Sequence, residues 1–422
     1  MQLPISLKLK HLQICLLTTL PLLSLPSHAG FSVSGTQLLD GNDKPFVMRG
    51  INYPHSWYST NTTQAIKDMA SVSANTVRVV LSSGYRWNRS SAEEVTSIIE
   101  QLKAQKMIAV LEVHDTTGYG EDSAASSLSS ATDYWLDIAA ALKGQEDYVI
   151  INIGNEPIGN NVDSSVWIDG HKDAIKRLRE AGLTHTLLID APAWGQDWQH
   201  VMLDNAKTVA AADSLNNTMF SVHMYQVYGD YNSVYQYVSK FLNNNQLPLI
   251  VGEFGADHQG ENVDEDSIMA LAEQYGIGYL GWSWSGNSGG TESLDITENF
   301  NVTNLTTWGD RLINGVNGLK STSVAATVYD DASSDNNDSG DTGTDDSGSD
   351  GSGSDNTDDN GSDNTDNNGS DNGSSDDNNN TNGSSNEGQN DVISIHAGSL
   401  MPSLMAMFIW PLIALRRKAG RK

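Results

Sequence analysis

Eight short apolar runs, rich in β-branched residues, recur through the middle of the chain, most followed by a stretch with helical spacing. This alternation restricts the fold more than any other feature of the sequence. The runs are Val47–Ile51, Thr76–Leu81, Met107–Val113, Val149–Ile153, Thr186–Ile189, Met219–Val222, Leu249–Val251 and Gly278–Trp282. Between them, Thr63–Val72, Ala92–Gln105, Thr132–Leu142, Val166–Ala181, Tyr231–Leu242 and Glu265–Tyr275 read as amphipathic helices. Glycines stop two of these, at Lys143-Gly144 and Ala181-Gly182. Near-continuous apolar strands are buried on both faces, as in a parallel sheet. Eight of them alternating with helices predict an α/β fold, a closed (β/α)8 barrel rather than an open sheet. Phe31–Leu39 is expected to form a hairpin across the bottom of that barrel.

The two ends of the 422-residue chain read as addresses rather than fold. Lys8, Lys10 and His11, then an apolar run from Leu12 to Leu25, then Ser27-His28-Ala29 have the layout of an export signal cleaved after Ala29. The alternative is a short uncleaved anchor. The one cysteine, Cys15, lies in that leader, so the exported form is expected to have neither disulfides nor thiol chemistry. Residues 330–391 are almost wholly Asp, Asn, Ser, Gly and Thr, with 18 acidic and no basic side chains, the composition of a solvated spacer. Residues 392–422 contain the apolar run Leu400–Leu415 followed by Arg416-Arg417-Lys418. This end is similar to bacterial C-terminal sorting tails, which implies transient membrane contact and a processing protease; a plain anchor is the alternative. Domain boundaries follow at 1–29, 30–329, 330–391 and 392–422.

The middle segment has 35 acidic and 17 basic residues, which argues against a nucleic-acid partner. It also holds nine of the ten tryptophans, suited to stacking on flat, neutral rings. In a barrel, chemistry gathers where the strands end. The run Val149-Ile150-Ile151-Asn152-Ile153 stops at Gly154-Asn155-Glu156-Pro157, and a carboxylate at such a lip suits an active site better than a core. The seventh run gives Gly252-Glu253-Phe254, across the barrel from the fourth. Other ends supply His55, Trp57, Arg78, Trp87, His114, Trp194, His223, Tyr225, Trp282 and Trp284. Two carboxylates facing each other over a neutral ring are the requirement of glycoside hydrolysis. One must stay protonated and the other ionised, and Arg78 is placed to hold one of them ionised. No H-E-x-x-H or comparable cluster calls for a metal, and no cofactor is expected.

Taken in order, FVMRGINYPHSWY (46–58), ANTVRVVLS (74–82), AVLEVHDTTGY (109–119), VIINIGNEP (149–157), LLIDAPAWGQ (187–196), MFSVHMY (219–225), VGEFGADH (251–258) and GWSWSGN (281–287) span the middle segment. With these motifs the chain resembles the bacterial β-mannanases of glycoside hydrolase family 5. The resemblance implies retaining hydrolysis of a neutral β-mannan, with Glu156 as acid/base and Glu253 as nucleophile. It places Asn155 on the sugar's 2-hydroxyl, Arg78 and Tyr225 on Glu253, and His114 and His223 in the pocket. The platform tryptophan falls at Trp282 or Trp284, with Trp284 preferred. Trp57, His55, Trp87, Trp194 and His258 are implied sugar contacts. The rival readings are an endoglucanase on the same barrel and a non-catalytic mannan-binding surface protein. A serine hydrolase built on Gly286-Asn287-Ser288-Gly289-Gly290 lacks the helix that should follow Ser288.

Overall fold

The computed structural model describes residues 30–330. The leader, the C-terminal segment and all of the spacer after Asp330 lie outside the described residues. Eight parallel strands close into a barrel: β1 Arg49–Tyr53, β2 Thr76–Leu81, β3 Ile108–Val113, β4 Val149–Asn152, β5 Leu187–Asp190, β6 Thr218–Met224, β7 Leu249–Phe254 and β8 Gly278–Gly281. Strand β8 pairs with both β7 and β1, which closes the ring. The helices are α1 Thr62–Ser71, α2 Ala92–Ala104, α3 Leu128–Asp137, α4 Ala139–Leu142, α5 Ser164–Glu180, α6 Val201–Ala210, α7 Tyr231–Asn245, α8 Glu265–Tyr275 and α9 Thr307–Asn314, with a final short turn at Leu319–Thr322. Among the described residues, no helix is long and apolar enough to cross a membrane.

Two apolar layers hold this arrangement. The larger lies between the strands and the helices and includes Val77, Val79, Leu111, Ile151, Leu187 and Val251. The smaller fills the barrel's lower interior with Ile108, Val110, Ile150, Leu188, Met219, Ile250 and Leu280. Phe31, Leu38 and Phe46 seal it from below, and Ser32–Ser34 pairs antiparallel with Gln37–Leu39 as the expected hairpin.

The element limits depart from expectation in instructive places. The first strand begins at Arg49 rather than Val47, because Phe46 and Met48 belong to the interior seal. Helix α3 starts four residues early, where Ser127 caps it by accepting from the Ser130 N–H. Helix α6 has no capping side chain at its own N-cap, His200. Its free N–H groups at Met202 and Leu203 instead donate to Asp197, so the usual start signal is displaced along the chain.

One irregularity places a functional group. On β7, Ile250 faces the interior layer, whereas Leu249 and Val251 pack toward the helices. Strict alternation would send Gly252 inward and Glu253 outward. Instead the β6–β7 register slips: Val222 sits opposite Val251, but His223 sits opposite Glu253. Gly252 is thus the extra residue of a bulge, and Glu253 turns into the barrel. A side chain at position 252 would begin 2.1 Å from Ser221 Oγ, so glycine is the residue that fits there.

Candidate active site

Arg78, fully buried on β2, is the hub of the barrel mouth. Its Nε donates to Asn152 Oδ1 (2.8 Å), one terminal nitrogen to Asn52 Oδ1 (3.0 Å) and Glu253 Oε1 (2.7 Å), and the other to Asn155 Oδ1 (2.6 Å) and Asp190 Oδ2 (2.9 Å). All five donors of the guanidinium are therefore used. The buried positive charge is balanced by Asp190 and Glu253 in direct contact and by Glu112 at 3.9 Å.

Glu253 accepts from Arg78 on one oxygen and from the Tyr225 hydroxyl on the other, at 2.8 Å. Burial pushes its carboxyl above the usual value and the charge of Glu156 adds to this; His223, Arg78 and His114 oppose the rise. With both oxygens engaged as acceptors, the carboxylate form is the one the site is built to receive. Glu156 stands just past β4 with φ of 39°, off the strand geometry that precedes it. Its Oε1 meets His223 Nδ1 at 2.8 Å, and Oε2 has no hydrogen-bond partner among the described residues. One carboxylate oxygen from each glutamate and a ring nitrogen of His223 all lie within 4.8 Å of one another.

His223 separates the two glutamates electrically. Its Nε2 lies 3.3 Å from Asp190, and its Nδ1 lies 3.5 Å from Glu253 as well as beside Glu156. Burial disfavours its charge, yet the carboxylates of Glu253 and Asp190 outweigh burial and push it up to about 10. His223 thus places a positive charge among the carboxylates of Glu156, Asp190 and Glu253. Burial also works against the charge of Asp190, but Arg78 and His223 hold that carboxyl well below its usual range.

Asp190, Asn52, Asn152 and Glu112 are site residues that sequence reasoning missed. Each is a polar residue within or ending an apolar strand, the same signal that picked out Glu156. Asn155, by contrast, was expected and is well placed: Arg78 orients its oxygen, and its Nδ2 donates one hydrogen to Thr117 Oγ1 at 2.8 Å. A second N–H remains for a ligand.

The aromatic wall forms around His114. Glu112 accepts from its Nδ1 at 2.8 Å, and its ring stacks on Trp282, with centroids 5.7 Å apart and planes at 23°. Trp57 meets both His114 and Trp87 edge-on. Here two expectations are corrected. Trp284 has no exposed surface and offers no face to a sugar; Trp282, two residues earlier, lies against the pocket histidine, with its Nε1 tied to Asn287 Oδ1. His55 is buried and bonded to Thr62 at the start of α1, so it is a structural residue rather than part of the wall. On the opposite rim, His258 packs against Tyr225 and bonds Gln226, while Trp194 covers Gly118, whose N–H donates to the Glu156 carbonyl.

A family model described as cellulase (glycosyl hydrolase family 5) matches residues 39–288. The chain belongs to glycosyl hydrolase family 5. Over 325 residues it is 54% identical to a mannan endo-1,4-beta-mannosidase of Cellvibrio japonicus (strain Ueda107), a match covering 77% of this chain and 75% of that one. The mannan endo-1,4-beta-mannosidase of Streptomyces lividans is 53% identical over 301 residues, 71% of this chain and 78% of its own. Among solved structures, the mannohexaose complex of Thermomonospora fusca β-mannanase superposes with a TM-score of 0.69 at 49% identity, covering 71% of this chain and 99% of that one.

Proposed function

We propose that the chain is a retaining endo-β-1,4-mannanase acting on mannan, glucomannan or galactomannan. The observation that carries this is the glutamate pair, with oxygens within 4.8 Å across the mouth and differently supported carboxylates. Retention needs carboxyl groups roughly 5–5.5 Å apart, whereas inversion needs roughly 6.5–9.5 Å to admit a water. The preference for mannan is supported by the names of relatives at 53–54% identity.

In the first step a Glu253 oxygen, aimed by Arg78 and Tyr225, attacks the anomeric carbon. The bond from that carbon to the leaving oxygen breaks, and Glu156 gives its proton to that oxygen. In the second step Glu156 takes a proton from water, whose oxygen displaces Glu253 and frees the sugar. Asn155 offers its remaining N–H to the 2-hydroxyl, and Trp282 carries the ring. Residues 1–29 export the enzyme and the C-terminal segment attaches it to the cell surface; fractionation of cells with and without either end tests this.

Glu253→Ala is expected to lower mannan hydrolysis by a factor on the order of 10⁴ or more. Glu156→Ala should retain cleavage only of aryl mannosides with good leaving groups. Near-normal mannan cleavage by Glu253→Ala would sink the assignment. Parallel assays on galactomannan, glucomannan and carboxymethylcellulose separate the mannanase from an endoglucanase.

A further inference from the structure

Trp198 is 47% exposed and lies four residues beyond Trp194 in the loop after β5. Scattered apolar residues on a surface are ordinary, but this one is tethered. Its indole Nε1 donates to Asn160 Oδ1 at 2.8 Å. The Asn160 N–H in turn donates to Glu121 Oε2 at 2.6 Å, and that same oxygen accepts from Trp194 Nε1 at 2.8 Å. One carboxylate oxygen thus anchors both indoles, Trp198 through Asn160. Their N–H groups are satisfied internally, which leaves the carbon surface of the half-exposed Trp198 indole for contact.

Beside Trp198 opens a notch of about 160 Å³, walled by Val227 and edged by His200, Ser233, Gln236 and Lys240. Sites for larger organic ligands run to about 300–1,000 Å³, so this one suits a single sugar ring rather than an oligosaccharide. An exposed indole carbon surface beside a rim of hydrogen-bonding tips matches a pyranose, which has an apolar C–H face and a hydroxyl edge. The notch is linked to the mouth only through hydrogen bonds. The Val227 N–H donates to Gln196 Oε1, and the preceding residue, Gln226, holds His258 on the rim of the glutamate pair.

Resting on the mannanase reading, we propose that Trp198 and its notch form an accessory binding site for a neutral pyranose unit of the polysaccharide, outside the cleavage cleft. The test compares wild type with Trp198→Ala and Trp198→Phe, using migration through galactomannan-containing native gels and kinetics on galactomannan and on mannotriose. Loss of one stacking partner should raise KM for the polymer by about three- to tenfold, with kcat unchanged. Gel retardation should fall for Trp198→Ala and largely return for Trp198→Phe, while mannotriose kinetics stay as in wild type. Unchanged polymer KM and retardation in Trp198→Ala would overturn the site, as would an equal loss on mannotriose. A wild type that fails to cleave mannan refutes the proposed function instead, and gel retardation still decides the role of Trp198.

Discussion

Arg78 and His223 show how a mouth crowded with carboxylates keeps two glutamates in different roles. Arg78 delivers a permanent charge to Glu253, while His223 delivers a titratable one between Glu156, Asp190 and Glu253. The folded protein holds the His223 proton up to about 10, against an ordinary value of 6.5. Its contribution to stability is therefore complete below about 6.5 and is lost as pH rises toward 10. The thermal midpoint of wild type should fall across that window, and that of His223→Gln should fall less. Identical pH slopes would contradict the charge state. At this scale the sequence was informative where a carboxylate interrupts an apolar run, as at Glu156 and Glu253. Asp190 ends β5 in the same way, but the expected strand stopped at Ile189 and left it out. The choice between Trp282 and Trp284 was not legible, because both lie past the end of β8 at Gly281, where strand alternation no longer sets which way a side chain points.

Elements were readable by type and less so by phase. All eight strands follow from apolar runs, yet nothing in Val251-Gly252-Glu253 announces a one-residue slip apart from the glycine itself. Without that slip, the proposed nucleophile would face the helices. Gly252→Ala should therefore cost about 1–3 kcal/mol through crowding against Ser221 and reduce activity as His223 and Glu253 shift. Pairing it with Ser221→Gly should restore part of both losses, since the two side chains compete for one space; additive losses in a double-mutant cycle would refute the steric account. Helix α6 escaped notice for a related reason. Its capping carboxylate, Asp197, sits several residues before the helix and reaches forward to Met202 and Leu203.

Across the whole molecule, stability and chemistry occupy opposite ends of the barrel. Phe31 is buried below the strands, and its carbonyl accepts from Thr186 and Asn217, which precede β5 and β6. Phe31→Ala should lower unfolding free energy by about 3–5 kcal/mol in denaturant titrations while leaving kcat on mannan at the wild-type value. A large fall in kcat for folded Phe31→Ala would show that the two ends are coupled. The overall architecture was legible because a barrel's repeat is periodic and local. Its closure, β8 onto β1, is a long-range event with no local signature.

That long-range character gives Arg78 a kinetic meaning. From β2 it reaches partners on β1, β4, β5 and β7, at sequence separations from 26 to 175 residues. Contacts so distant along the chain form late in folding, once loop-closure entropy has been overcome. A refolding chain with helices formed and only some strands assembled would look native by helical content and remain catalytically silent. Recovery of activity in such an experiment counts completed barrels, one molecule at a time.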